Sequence, residues 1–255
     1  MEKIKMEFRE SIAVLTLNNG TINAISPDLV AQCSNALEEA RNEAQGLVLC
    51  GNRKFFSIGL DLPILLKFNR SEMTDFWHEF NRLVFELFIL PLPTVCCMAG
   101  HAVAGGNIMA LTCDFRFAVN DENKKIGMNE IKLGVPVPYL ADMIFRQVIG
   151  DRAASHMMYS GMFISMPKAH AIGLIDELYA VDLLEQRSME KAAELASSQN
   201  RAYAEIKANR IEEIKNRYEK NRTQKFELFL DYWFSKPAQQ YLRDASKKFT
   251  KPKKE

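Results

Sequence analysis

PTVCCMAGHAVAGGNIMALTCDFRFAVNDENKKIGMNEIKLG, residues 93–134, is the stretch on which the reading of this chain turns. An apolar run between Pro93 and Gly100 has the length and the bounding residues of a buried strand. The small residues Ala102-Val103-Ala104-Gly105-Gly106 make a turn, and Asn107-Ile108-Met109-Ala110-Leu111 starts a helix. Glycines at a strand-to-helix turn let backbone N–H groups approach a ligand closely, at the positive end of the helix dipole, where negative charge is stabilised. Downstream, Glu130 is a lone acid in the loop Gly127-Met128-Asn129-Glu130-Ile131-Lys132-Leu133-Gly134. The same residues also satisfy a plainer reading, with the paired glycines serving tight helix–strand packing and Glu130 an ordinary surface acid.

A second stretch tilts the balance. Arg53-Lys54-Phe55-Phe56-Ser57-Ile58-Gly59-Leu60-Asp61-Leu62 follows the apolar run Gly46–Gly51, again as strand, glycine-containing turn and helix start. Two such turns from neighbouring strands aim two backbone N–H groups at one point, the arrangement of an oxyanion hole.

With FFSIGLDL at 55–62, GHAVAGGNIMALTCD at 100–114 and NEIKLGVPVP at 129–138, in that order and spacing, the sequence resembles the enoyl-CoA hydratase/isomerase (crotonase) family. Weaker similarity covers nearly the whole chain, from IAVLTLN at 12–18 through the last third. The resemblance implies an α/β fold, a crotonase-like spiral of ββα units over residues 1–195, with a helical C-terminal trimerisation region over 196–255. It further implies an acyl-CoA thioester substrate, CoA arriving as part of that substrate rather than as a cofactor, and a homotrimer or a dimer of trimers.

Carried over residue by residue, the family pattern puts the oxyanion donors on the backbone N–H groups of Leu60 and Gly105. Hydratases of the family use two glutamates; their first position is here Ile108 and their second is Glu130. Dienoyl-CoA isomerases pair the loop Glu with an Asp eight residues later, and that place is Pro138. One carboxylate is therefore missing under either pattern. A single carboxylate suffices to move a proton from C2 to C4 of a 3-enoyl-CoA, which points to a Δ3,Δ2-enoyl-CoA isomerase with Glu130 as its base. An apolar surrounding raises the pKa of such a carboxylate toward the operating range. Phe56, Ile58, Asp61, Ile108 and Pro138 are expected against the substrate, and Arg53, Lys54 and Lys247 or Lys248 at the CoA phosphates. Other readings remain. A hydrolase or decarboxylase on the same fold would recruit Ser57, His101, Asn107, Asn129 or Tyr139; residual hydration would accompany isomerisation; and a non-catalytic RNA-binding or scaffolding subunit would use the charged helix over 201–222.

Composition bounds the rest. At 255 residues, 47% hydrophobic and 25% charged, the chain reads as a globular protein with a sizeable core. A net charge of +1 gives no overall pull toward nucleic acid or a membrane. Five cysteines without CxxC spacing read as buried thiols in a reducing compartment. With no apolar leader, no long apolar run and no peroxisomal tripeptide in KPKKE, a cytoplasmic location is expected. Neither His156 nor His170 has a second His or Cys at ligand spacing, so no metal site is expected. Strands are predicted over Ile4–Phe8, Ile12–Asn18, 46–50, 94–99 and Phe115–Val119, and helices after Ser26-Pro27 and over 72–90. From about Leu140 the chain reads as helical almost throughout, with helices over Glu185–Asn200, Arg201–Arg222 and Phe226–Phe249. The aromatic stripe Phe226, Phe229, Leu230, Trp233 and Phe234, followed by Tyr241 and Leu242, can dock on its own chain or on a neighbouring subunit, and the resemblance favours the neighbour.

Overall fold

Four runs dominated by apolar residues, IAVLTL, GLVLC, TVCCM and FRFAV, lack the in–out alternation of a half-solvated sheet, and all four become strands covered on both faces. The structure is a computed structural model and describes residues 2–197 and 200–250. In chain order its strands are β1 (Ile4–Arg9), β2 (Ile12–Leu17), β3 (Gly46–Cys50), β4 (Phe55–Ser57), β5 (Thr94–Met98), β6 (His101–Val103), β7 (Phe115–Val119), β8 (Lys125–Gly127), β9 (Phe163–Ser165) and β10 (Glu177–Tyr179). Its helices are α1 (Pro27–Glu43), α2 (Leu62–Leu65), α3 (Arg70–Phe88), α4 (Gly105–Leu111), α5 (Tyr139–Ser160), α6 (Met166–Ala171), α7 (Val181–Ser197), α8 (Asn200–Trp233) and α9 (Lys236–Thr250), with a 3₁₀ turn at Glu130–Leu133.

The helix starts follow from their caps. Ser26 accepts from the Leu29 N–H with Pro27 at the first helical position, as read from the sequence. Asn69 and Glu72 form a reciprocal capping box ahead of α3.

The strands divide into two sheets, ordered β1-β2-β3-β5-β7-β10 and β4-β6-β8-β9. From β3 onward the chain lays one strand into each sheet per turn: β3 then β4, β5 then β6, β7 then β8. Neighbours from successive turns are parallel, with Val48 opposite Val95 and Cys97 opposite Phe117 in the first sheet. This is the spiral of ββα units expected from the resemblance. Its large sheet is covered on both faces: Leu47 and Leu49 point into the principal core, while Val48 and Cys50 face α7 in a smaller one. The five cysteines are buried free thiols. Among the described residues no helix is long and apolar enough to cross a membrane.

Three expectations need correction. The last third is not almost wholly helical, since β9 and β10 each join a sheet. Nor does one helix run from Phe226 to Phe249: α8 continues to Trp233, and the chain breaks at Phe234-Ser235 before α9. The aromatic stripe is spent within the chain. Phe229 stacks on Trp77 of α3 with centroids 3.6 Å apart, Phe85 of α3 meets Tyr218, and Phe226, Phe229, Leu230 and Trp233 are all buried. These side chains join the principal core, so this part of the stripe docks on its own chain. The expected boundary at 195/196 falls in the last turn of α7.

α9 crosses the 3₁₀ turn, and Gly134 sets how closely. Gly134 caps that turn at φ +73°, and a Cβ there would sit 3.2 Å from Ala238 Cα and 3.2 Å from the Tyr241 ring. Gly134→Ala should cost about 1–2 kcal/mol from the left-handed backbone alone and push α9 outward. The expected result is a lower Tm with faster amide exchange over 236–247; unchanged exchange there would contradict the close docking of α9.

Candidate active site

The spiral brings three loops side by side. Leu60 lies three residues after β4, Gly105 two after β6 and Glu130 three after β8, so each turn contributes one group at the C-terminal end of these parallel strands of the small sheet. All three line a cavity of about 410 Å³.

The first two turns touch through backbone. Gly59 has φ +95°, and a Cβ on it would lie 2.9 Å from the Gly105 nitrogen; a Cβ on Gly105 would lie 3.6 Å from the Leu60 nitrogen. A Cβ on Gly106 would be 2.4 Å from the Ser57 carbonyl oxygen. Only residues without side chains allow this approach. Leu60 forms a parallel bridge with Ile25 in which the Ile25 N–H donates to Gly59 O and the Asp61 N–H donates to Ile25 O, so the Leu60 N–H is left over. Gly105 opens α4, where a helix leaves its first N–H groups unpaired. Both residues line the one cavity.

Ala104 carries the strain of this arrangement, at φ +49° and ψ −124°. It is held from both sides: its N–H donates to Gly127 O at 2.9 Å and its carbonyl accepts from Ile108 N at 3.0 Å. The first turn is held by Asn23, fully buried, whose side-chain NH₂ donates to Phe55 O and Phe56 O, each at 3.1 Å. The Ser57 hydroxyl donates to Asn23 O and accepts from Gly59 N. Asn23 escaped the sequence reading because it lies more than thirty residues from the turn it fixes; its own left-handed φ of +45° gives no signal in sequence.

Glu130 is 7% exposed, and its Oε2 has no hydrogen-bond partner. Burial pushes its carboxyl from the usual 4.5 to about 7, against the smaller pull of the Glu130 and Asn129 backbone N–H groups. Ile108, 2% exposed, lines the cavity where the two-glutamate pattern would put an acid. Glu130 is the one carboxylate among the described lining residues.

Ile58 and Pro138 also line the cavity; Phe56, Arg53, Lys54 and Asp61 do not. Strand alternation explains the first: Phe55 faces the cavity, so Phe56 points into the core at 0% exposure. Arg53 is exposed and pairs with Asp182 at 2.7 Å. Asp61 caps α2 by accepting from the Ile64 N–H. Lys247 pairs with Asp244. The side chain of Lys248, and all of Lys251, Lys253 and Lys254, lie outside the described residues. The cavity's cation is instead Lys125, beside His101, whose Nδ1 accepts from the Lys125 backbone N–H and whose ring packs on Phe55. Of the groups a hydrolase would recruit, Ser57 is buried with both hydrogen bonds committed, Asn107 is buried off the cavity, and the Tyr139 hydroxyl accepts from Arg217.

A model of the enoyl-CoA hydratase/isomerase family matches residues 7–251. The chain belongs to this family. Among curated relatives, rat mitochondrial enoyl-CoA delta isomerase 1 is 29% identical over 188 residues, 72% of this chain and 65% of the relative. A putative enoyl-CoA hydratase of Thermus thermophilus is 32% identical over 66% of this chain and 67% of its own length. The match spans 62% of the human delta isomerase 1, so this chain corresponds to somewhat under two thirds of the mitochondrial relatives. The fold is that of the crotonase family: the crystal structure of human mitochondrial delta3-delta2-enoyl-CoA isomerase superposes with a TM-score of 0.93 over 97% of this chain and 98% of that one, at 23% identity.

The buried carboxyl has a measurable cost for this family member. Its folded pKa is raised, so the stability tied to it is complete below about pH 4.5 and is lost as pH rises through about 7. Glu130→Gln removes that loss. The variant should match the parent near pH 4 and exceed it at pH 8 by on the order of 3 kcal/mol at most. Thermal denaturation across that range checks it, and parallel curves for the two proteins would contradict a raised Glu130.

Proposed function

We propose that this family member is a Δ3,Δ2-enoyl-CoA isomerase that works by a single-carboxylate 1,3-proton transfer. The observation that carries the reading is the lone buried carboxyl of Glu130, facing the same cavity as two unpaired N–H groups, with Ile108 in place of a second acid.

The chemistry follows from what those groups can do. The thioester oxygen of a 3-enoyl-CoA accepts from the Leu60 and Gly105 N–H groups. Glu130 takes a proton from C2, and the electron pair spreads over the thioester and the former double bond as a dienolate. One such donor is typically worth ~2.7–4 kcal/mol as charge develops on the oxygen. The protonated Glu130 then returns the proton to C4, leaving the double bond between C2 and C3. Atoms and charge balance with no second reactant. A carboxyl raised to about 7 is both a competent base and a competent acid near neutral pH. Hydration needs one group to activate water and another to deliver a proton to carbon. Ile108 supplies neither.

Names among the relatives support both chemistries, with delta isomerases and hydratases side by side. A paired assay separates them. With 3-hexenoyl-CoA and crotonyl-CoA offered separately, the first should be converted to the conjugated 2-enoyl product and the second should be hydrated negligibly. Comparable hydration would overturn the single-base reading. Glu130→Gln should lower kcat by about 10²–10⁴-fold. The parent's kcat/KM should rise with pH through an inflection near 7 as Glu130 ionises; a profile flat from pH 5 to 9 would remove Glu130 from the reaction.

A further inference from the structure

The cavity that holds the candidate catalytic groups shares a wall with a second one. This neighbour, about 570 Å³, lies between α3, the loop before α5, α5 itself and α8. Trp77, Val135, Pro138 and Phe229 line both. The heart of the partition is an aromatic pair: the Trp77 and Phe229 rings are 5° from parallel with centroids 3.6 Å apart, and both are almost wholly buried. No hydrogen bond fixes the indole, since Trp77 Nε1 has no partner; packing on Phe229 and Phe80 keeps it in place.

The two sides differ in chemistry. On the near side, Phe80, Trp233 and Leu242 add apolar surface that has no part in proton transfer. On the far side the lining includes Asp142, Arg146, Asp151 and Lys225. Burial pushes the Asp142 carboxyl up even with Arg146 beside it. A hydrocarbon tail gains on the near side and meets charge beyond the partition.

We infer that the Trp77–Phe229 stack is the end wall of the acyl pocket and sets the longest acyl chain the protein accommodates. This rests on the acyl-CoA reading above and adds to it the residues that decide chain length. Trp77 comes from α3 and Phe229 from α8, so the limit is built jointly by the spiral and the C-terminal helices.

Saturated acyl-CoAs test the wall without turnover. Calorimetric titration of the full chain with butanoyl- through tetradecanoyl-CoA should show affinity rising about fourfold per methylene and then levelling off at one length. In Trp77→Ala, and in the volume-sparing Phe229→Leu should the first not fold, the levelling point should move at least two methylenes longer while butanoyl-CoA binds as before. A folded variant whose levelling point stays put overturns the inference, as does a parent whose affinity climbs unbroken to tetradecanoyl-CoA. If no acyl-CoA binds at all, the substrate class itself is wrong and the inference falls with it. That result is distinct from binding with an unmoved limit.

Discussion

The contact between Gly59 and Gly105 is the constraint on which the site depends. With a side chain at 59, a carbon would stand 2.9 Å from the Gly105 nitrogen, and that amide would be covered rather than offered. The approach is backbone on backbone, so no rotamer change relieves it. Everything around it holds the two turns together: Asn23 and Ser57 lock the first, the Gly106–Ser57 contact seats α4 on it, and Ala104 absorbs the strained dihedrals. Donors fixed this way need no reorganisation when charge develops, which is where their advantage over water lies.

The spiral explains why three groups far apart in sequence meet. Adding one turn of chain advances each sheet by one strand, so positions just past β4, β6 and β8 lie in a row whatever the loop lengths between them. The intervening segments differ greatly: α3 fills the first, the short α4 the second. Helices are accommodated outside the row without disturbing it. Tuning then falls to side chains in register with it, and Ile108 rather than an acid, one helical position from Asn107, is such a choice.

Much of this was legible in the sequence because it is written in local chemistry. Long apolar runs gave β2, β3, β5 and β7; Ser26-Pro27 gave the start of α1; two glycine turns gave the close approach of Gly59 and Gly105. The small sheet was not legible. Its strands are three residues long, below the length at which alternation can be recognised, and they exist because successive turns stack rather than because of propensity. Phe56 was misplaced for a related reason: without the strand at 55–57, nothing says that Phe55 takes the cavity side. The stripe on α8 was correctly seen as apolar, but an amphipathic face does not name its partner. Trp77, Phe80 and Phe85 on α3 supply that partner within the chain.

This internal docking links the end of the chain to the chemistry. Leu242 and Ala245 of α9 and Trp233 of α8 complete the cavity in which Glu130 is desolvated. Desolvation is the largest cause of the raised Glu130 carboxyl; the backbone N–H groups near it act in the opposite direction. The raised Glu130 carboxyl therefore depends on a helix more than a hundred residues away, held so close over the 3₁₀ turn that a Cβ on Gly134 would stand 3.2 Å from Ala238 Cα. Withdraw α9, and water reaches Glu130; its pKa falls back toward 4.5, and the carboxylate becomes more stable and less basic. The C-terminal helices thus do two things at once: they line the apolar part of the cavity, and they help keep the Glu130 carboxyl out of water.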